Sequence, residues 1–409
     1  MKSFIRSIGL VEIAILLNAA SIVFMHVFPF TLLLLVVASI REWWMEKDKK
    51  QYAFHKDVGY ALIPFALTFV GLIYTTNFKQ GMGDLGRMLP YLVFPLTLYS
   101  TSKNRWKLIQ GWVIAFFVSG LVLRFGIDLY KACFRYLKSD NISDFFYAYL
   151  DSDTNIFSVL TLLGIILLLD WRNKRDALDA KMKLVLYYGV LFFLSLGLLL
   201  LQSRIVIVCL YAALALQFFY YWKRKNKIDF VIIGAFTSFL LLFPVFQGRF
   251  HVVAKETNQL GKNEIMNSSA KDTLSMSCMS STSLRLNAVK TSILIVQDHP
   301  FFGVGTGDWR DEMVTKYTTQ NMPCNAKEQT APHNQYLRIG VKNGFVGILV
   351  YFLFIFILIK KLVNEQRVGQ LPFLLTLVMC GFGYDILDVG SSAPVFAFFS
   401  TWLFFTKET

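Results

Sequence analysis

Long runs of apolar residues, separated by short polar links, fill most of this 409-residue chain. A helix needs roughly 20 apolar residues to cross a bilayer, so the pattern predicts an all-α, polytopic membrane protein with about 12 transmembrane helices. The first run, 8–40, is long enough for two short spans that break near 25–29. The other runs lie at about 58–75, 88–100, 108–128, 154–170, 184–201, 203–221, 228–246, 343–359, 369–384 and 391–406.

One segment, 247–342, breaks this pattern because it is long and polar. A loop of this length is uncommon unless it has a function of its own. It divides the chain into a first transmembrane bundle at 1–246 with about nine spans, a large loop at 247–342, and a second bundle at 343–409 with about three spans. The loop itself is expected to contain helices.

An amphipathic helix is predicted inside this loop, lying on the membrane or on the helical bundle. Asp298-His299-Pro300 ends it. A glycine turn follows at 301–309, with backbone amides that could bind an anion, and 331–338 opens a helix that leads into the tenth span. The apolar residues that recur at helical spacing are Leu284, Leu286, Val289, Ile293 and Val296.

Basic residues are distributed unevenly over the short links. The links at 41–56, 103–107, 172–183, 223–227 and 360–367 carry most of them, and the opposite set carries few. The positive-inside rule therefore predicts cytoplasmic termini and an outer, periplasmic position for 247–342. The net charge of +14 is explained by topology and by anionic membrane lipid, and we expect no nucleic-acid partner because no recognition motif accompanies the charge.

Composition supports the membrane prediction and limits the chemistry. Only 17% of the residues are charged, against about a quarter in soluble domains, which excludes an ordinary soluble enzyme and a disordered chain. The five cysteines are too few and too scattered for a disulfide scaffold or a zinc site. Cys209 and Cys380 lie in apolar runs, and a bridge between Cys278 and Cys324 in the outer loop stays open.

Ionisable residues at membrane depth are costly, and they are therefore candidates for function. Arg204 lies in a tight hairpin between two apolar runs, Arg87 directly precedes another run, and Asp385 and Asp388 lie at the outer end of the penultimate span. The alternative for each is an interfacial residue that snorkels to water. Arg124, within an apolar run and without a motif, is interpreted as structural.

Two outer-loop residues, Arg285 and His333, suit phosphate binding and proton transfer. An arginine offers a planar, permanently charged fork that matches phosphate oxygens, and a histidine titrates near neutrality. The alternative for His333 is a surface or capping residue. No metal-binding or nucleotide-binding motif occurs, so no cofactor is expected.

In combination, four motifs resemble the O-antigen ligase and O-antigen polymerase superfamily of bacterial inner membranes. The resemblance extends to the architecture of about twelve spans with one large late periplasmic loop. It implies a GT-C-like membrane glycosyltransferase that moves a glycan from undecaprenyl diphosphate to a hydroxyl acceptor in the periplasm, without metal or ATP. The motifs are Gln202-Ser203-Arg204, Ser283-Leu284-Arg285, Asp298-His299-Pro300 with Gly303-Val304-Gly305-Thr306-Gly307, and Pro332-His333-Asn334-Gln335-Tyr336-Leu337.

The same resemblance implies roles for individual residues. Arg204 and Arg285, with Arg87, look like the diphosphate-binding residues, and His333 looks like the essential catalytic histidine. Attack from the side opposite the diphosphate would invert the anomeric carbon. The residues expected to support the site are Asp385, with Asp388 as its competitor, and Asn334 and Gln335.

Several functions are compatible with these features. The modest length and single dominant loop favour a ligase, whose acceptor is lipid A-core, over a polymerase, whose acceptor is a growing glycan. A protein glycosyltransferase that uses the same donor is a third enzyme class. A non-catalytic glycolipid transporter would also suit twelve spans, but transporters seldom need so long an outer loop.

Overall fold

The computed structural model describes residues 9–24, 26–45, 56–100, 103–139, 154–174, 181–201, 203–222, 281–388 and 392–405. Within these ranges the chain is helical, as predicted, whereas the predicted span 228–246 lies outside them. In chain order the helices are α1 (Leu10–Ser21), α2 (Phe28–Met45), α3 (Lys56–Ala61), α4 (Ile63–Ile73), α5 (Phe78–Arg87), α6 (Pro90–Ser100), α7 (Lys103–Ser139), α8 (Thr154–Lys174), α9 (Lys181–Leu201), α10 (Arg204–Trp222), α11 (Ser281–Asp298), α12 (Trp309–Thr319), α13 (Pro323–Glu328), α14 (Gln335–Asn364), a 3-10 turn (Val368–Gln370), α15 (Leu371–Cys380) and α16 (Ala393–Phe405).

Three described helices are long and apolar enough to cross a membrane: α2, the Ile109–Lys138 part of α7, and α14. Shorter apolar helices accompany them, including α1, α15 and α16. The opening apolar run forms two helices, as predicted, and Pro29 occupies the second position of α2, where a missing N–H costs nothing. The count of about 12 spans and their orientation stay predictions.

Helix α16 forms the centre of the membrane bundle. Every residue from Ala393 to Phe404 is buried, which explains why its sequence is apolar on all sides rather than amphipathic. The Phe399 ring packs edge-on against Phe117 of α7 at 4.8 Å and against Phe373 of α15 at 5.1 Å, and Phe398 packs against Phe94 of α6 at 5.1 Å. These aromatic contacts join helices from both ends of the chain.

Helix α14 is broken at Gly344, where the backbone has φ 62° and ψ −161°. The segment that follows α11 crosses the break: the amide of Phe345 donates to the Pro300 carbonyl at 2.7 Å, and that of Val346 to Phe301 at 3.2 Å. The backbone groups that the break frees are therefore satisfied within the protein, as they must be at membrane depth. The residues before Gly344 form a short, buried helical segment that faces the site.

The predicted loop helix is confirmed as α11, which ends at Asp298. Its buried face combines Ala288, Thr291 and Ser292 with Ile295 and Val296, whereas Leu286 and Ile293 are exposed. Small and hydroxyl side chains allow a close approach, and they satisfy their own polar atoms. Ser292 donates to the Ala288 carbonyl at 2.6 Å.

The glycine turn between α11 and α12 also differs from expectation. Its amides were predicted to be free for an anion, and this is wrong, because they are used to dock the turn on α4 and α14. Val304, Gly305 and Thr306 donate to the carbonyls of Val341, Lys342 and Gly71 at 2.8, 2.9 and 3.0 Å, and Gly307 donates to Thr75 Oγ1 at 2.9 Å.

The cysteines fall into two groups. Cys209 of α10 and Cys380 of α15 are buried and free, with sulfurs 3.6 Å apart. Cys324 of α13 is disulfide-bonded. The pairing proposed for Cys324 involves Cys278, which lies outside the described residues.

Gly303→Ala should destabilise the fold by about 1–3 kcal/mol, because Gly303 has φ +67° and a Cβ there would lie 2.4 Å from the Val341 carbonyl oxygen. The matched control is Gly83→Ala in α5, where a Cβ meets nothing within 4 Å. The control should be neutral or slightly stabilising. Thermal unfolding of purified protein in detergent measures both, and equal Tm values for the two variants would contradict the docking described here.

Candidate active site

Two cations on the first segment of α14 meet two carboxylates from the loop between α15 and α16. Arg338 and Lys342 are four residues apart and therefore share one helical face. Arg338 Nη1 lies 3.0 Å from Asp385 Oδ2, and Lys342 Nζ lies 2.6 Å from Asp388 Oδ1. A longer contact of 3.6 Å joins Arg338 Nε to Asp388 Oδ2. All four side chains are buried.

A third carboxylate, Asp84 of α5, extends this network. Its Oδ2 accepts from Lys342 Nζ at 2.8 Å and from the Trp309 indole nitrogen at 2.9 Å. Its Oδ1 pairs with Arg87 Nη1 at 2.6 Å. The site therefore combines α5, α12, α14 and the 381–388 loop in one ion-paired cluster.

The predicted supporting residues Asn334 and Gln335 hold the 381–388 loop against the start of α14. Asn334 caps the helix by accepting from the amides of Tyr336 and Leu337, and it donates to the Phe382 carbonyl at 3.1 Å. Gln335 is buried, donates to Asp388 Oδ2 at 3.0 Å, and accepts from the Leu387 amide at 2.7 Å. Both residues therefore position the carboxylates.

The ion-paired cluster is electrically balanced. Three cations, Arg87, Arg338 and Lys342, face three carboxylates, Asp84, Asp385 and Asp388. Buried charges are tolerated when they are paired in this way. Burial alone would raise the pKa of Asp388, but Lys342 and Arg338 hold it well below its usual range.

A cavity of about 400 Å³ opens beside this cluster. Its lining is part polar and part apolar. The polar lining, called its polar side below, includes Arg87, Arg310, His333, Arg338, Tyr384, Asp385 and Asp388, and the apolar lining, called its apolar side, includes Ile156, Val159 and Leu160 of α8, Leu377 of α15 and Val395 of α16. The shape and lining suit a ligand with a charged or hydroxylated part and a hydrocarbon part.

His333 lies at the polar side of the cavity, directly before the N-cap of α14. Its backbone is left-handed, with φ 50°, a conformation that non-glycine residues adopt rarely and that often marks functional sites. The side chain is half-buried, and within the described part of the chain it has no hydrogen-bond partner. Burial lowers the pKa of His333, Asp385 raises it, and Arg285 and Arg338 lower it.

The three arginines predicted to bind diphosphate differ in their position and in how much of each the structure describes. Arg87 lines the cavity with its side chain 37% exposed. Arg285 is exposed on α11, and its charge acts on both His333 and Tyr384. The side chain of Arg204 lies outside the description, but its backbone begins α10, and the preceding Ser203 hydroxyl is 2.6 Å from the Tyr384 hydroxyl.

Sequence reasoning gave no role to several residues of this site. Two spacings in the sequence could have indicated them: Arg338 and Lys342 are four residues apart, and Asp84 precedes Arg87 by three, so each pair shares a helical face. No sequence signal indicated Trp309, yet Arg338 Cζ lies 4.2 Å from its ring centroid and Arg310 Cζ lies 5.3 Å from it.

Arg124, expected to be structural, pairs with Asp128 at 2.9 Å. Among the described residues, no group of three or more His, Cys, Asp or Glu could hold a metal ion.

Fold and site together define a helical, membrane-type protein with a charged cavity. A family model described as O-antigen ligase matches residues 189–352, which include α10, α11, the glycine turn and the first segment of α14. Over these residues, which are less than half of the chain, the protein is similar to the O-antigen ligase family. No curated protein matches the chain.

Lys342→Met should lower stability by about 3–5 kcal/mol, because Asp84 and Asp388 would stay buried without their shared cation. Asp388→Asn should also destabilise, since Lys342 and Arg338 would lose a counter-charge. The double variant removes one charge of each sign, and we expect it to be more stable than the sum of the two losses. Thermal unfolding of the four proteins gives the coupling; strictly additive losses would argue against a balanced cluster.

Proposed function

We propose that this protein is an O-antigen ligase that transfers a glycan from undecaprenyl diphosphate to a hydroxyl of lipid A-core. The reaction takes place at the periplasmic face of the bacterial inner membrane, with both termini in the cytoplasm and the 247–342 loop outside. The observation that carries the proposal is His333, a half-buried imidazole with a lowered pKa that faces the same cavity as several arginines. The family match supports the transferase class.

In this proposal His333 is the general base. A neutral imidazole nitrogen takes the proton from the acceptor hydroxyl, and the oxygen attacks the anomeric carbon of the donor sugar. The bond from that carbon to the diphosphate oxygen breaks, and undecaprenyl diphosphate leaves with the bonding electrons. Attack from the opposite side inverts the anomeric carbon. Because burial lowers its pKa, the imidazole is mostly neutral and ready to accept a proton near pH 7.

Charge that develops on the leaving diphosphate needs positive groups that are not already neutralised. The ion-paired cluster is balanced, so Arg338 and Lys342 serve mainly to hold the carboxylates. We assign the diphosphate to Arg204 and Arg285, and Arg87, which Asp84 already neutralises, adds hydrogen-bond donors rather than unpaired charge at the edge of the cavity. Preorganised donors of this type contribute about 2.7–4 kcal/mol each to lowering a barrier.

The apolar side of the cavity is assigned to the hydrocarbon next to the diphosphate. Ile156, Val159 and Leu160 of α8 line it, and an isoprenoid chain is held by such surfaces without specific polar contacts. The lipid tail would continue from there into the bilayer. In this proposal the scissile bond lies between the apolar side and His333.

A polymerase shares this chemistry, differs only in its acceptor, and is the second candidate. A non-catalytic glycolipid transporter is the third, and the family match favours a transferase over it. Purified protein, lipid-linked glycan and acceptor, mixed without ATP or metal, separate the three. Glycan on lipid A-core supports the ligase, a lengthened lipid-linked glycan supports the polymerase, and lipid movement across vesicles without a covalent product supports the transporter.

His333→Ala should reduce transfer by about 10²–10⁴-fold, because it removes the base while leaving the expressed and folded amount of protein unchanged. The matched control is His299→Ala, an exposed histidine at the end of α11. We expect the control to keep wild-type activity. Gel analysis of the glycosylated acceptor measures both, and full activity of the His333 variant would remove it as the base.

The pH dependence of kcat/KM should report the charges around His333. A base works in its neutral form, so activity falls as the pH drops through its pKa. Asp385 raises that pKa and Arg285 lowers it. Asp385→Asn should therefore move the acid limb to lower pH, and the residual activity of Arg285→Gln should have its acid limb at higher pH. Shifts in the same direction, or no shift in either variant, would contradict this role.

A further inference from the structure

Arg310 is a cation of the cavity that the ion-paired cluster does not include. It is the second residue of α12 and lies half-buried in the wall of the cavity that also contains His333. Its guanidinium carbon lies 5.3 Å from the ring centroid of Trp309, so the side chain rests against a buried aromatic surface. This packing limits the directions in which the guanidinium can turn.

Acidic neighbours in sequence do not neutralise Arg310. Asp308 accepts from the Thr76 and Asn77 amides at 2.7 and 2.6 Å, and Asp311 accepts from the Asn77 side chain at 2.7 Å. Within the described residues, no carboxylate oxygen lies within 4 Å of the Arg310 guanidinium. Its Nε is buried and has no hydrogen-bond partner there.

The same contacts fix the position of Arg310. Asp308 and Asp311 attach the start of α12 to the segment between α4 and α5, and the Trp309 nitrogen attaches it to Asp84. A guanidinium presented by an anchored helix needs little reordering when a ligand binds. Its buried, unpartnered donor is costly until an acceptor arrives.

We infer that Arg310 binds a phosphate-type anion carried by a substrate. A phosphate offers several acceptor oxygens to the planar fork of an arginine, and it supplies the negative charge that the balanced cluster leaves unmatched beside Arg310. The inference rests on the proposed function for the identity of the substrates. The anion has two sources: the diphosphate of the lipid-linked donor, or a phosphate group of the glycolipid acceptor.

Arg310→Gln, Arg310→Lys and a control, Lys316→Ala, test this inference. Lys316 lies on the same helix and pairs with Asp298 outside the cavity lining, so its removal changes the charge of α12 without changing the cavity. Two measurements are needed on purified full-length protein. Calorimetry gives the Kd for inorganic diphosphate and for undecaprenyl diphosphate, and transfer kinetics give KM for acceptors with and without their phosphate groups.

If the anion belongs to the donor, Arg310→Gln raises the Kd for both diphosphates by about tenfold or more. If it belongs to the acceptor, the variant instead raises KM for the phosphorylated acceptor alone, and kcat is retained. In both cases Arg310→Lys raises the affected Kd or KM less than Arg310→Gln does, because lysine keeps the positive charge but lacks the planar guanidinium. Lys316→Ala behaves like the wild type.

Unchanged diphosphate affinity together with an unchanged KM for the phosphorylated acceptor overturns the inference. Failure of the proposed function looks different. A wild-type protein that binds diphosphate through Arg310 but transfers glycan to no acceptor would leave the inference standing and refute the transferase. A wild-type protein that transfers glycan, with an Arg310→Gln variant whose diphosphate Kd and acceptor KM are both unchanged, would refute the inference alone.

Discussion

The neutrality of one buried cluster determines how this site is built. The three carboxylates and two of the cations, Arg338 and Lys342, are buried, and Arg87 completes the cluster with its side chain 37% exposed. Removing one of the buried members leaves a charge that the surroundings cannot solvate. The cluster joins α5, α14 and the loop between α15 and α16, which come from distant parts of the chain. Because each buried charge needs its partner, the cluster restricts the relative positions of these elements more tightly than apolar packing alone would.

The break in α14 lies two residues after Lys342 of this cluster. In an uninterrupted helix the first segment of α14 would share one axis with its apolar second half, whereas the non-helical backbone at Gly344 changes the direction of the first segment. The glycine turn after α11 occupies the break and satisfies its backbone groups. The position of the helical segment that follows His333 thus depends on backbone hydrogen bonds made some distance away along the chain.

Local patterns predicted the elements of this protein well. The apolar runs predicted α1, α2 and α16, one helix ends at Leu201 and the next begins at Arg204 where the sequence separates two runs, and α11 ends at the predicted residue. These features depend on short stretches of chain, in which helical periodicity and capping signals are readable. His333 and the two aspartates also lie together on the polar side of one cavity.

Long-range pairing could not be predicted in the same way. Nothing near Asp84 indicates that it meets Lys342, because the pairing exists only after the helices have packed. The amides of the glycine turn were assigned to an anion because a turn of this type often binds one, but α4 and α14 provide closer acceptors. The buried face of α11 could not be read from apolar spacing alone, because it includes Ala288, Thr291 and Ser292 beside Ile295 and Val296.

The exposed phenylalanines at the break of α14 have a further consequence. Phe301, Phe302 and Phe345 are each more than half exposed, and they continue the exposed apolar stripe that runs along α14 through Leu349 and Phe356. Such side chains prefer acyl chains to water. In a bilayer they would fix the depth at which the break of α14, and the cavity near it, lies relative to the acyl chains. Under the proposed function, a lipid-linked donor would then reach the cavity without being lifted out of its leaflet.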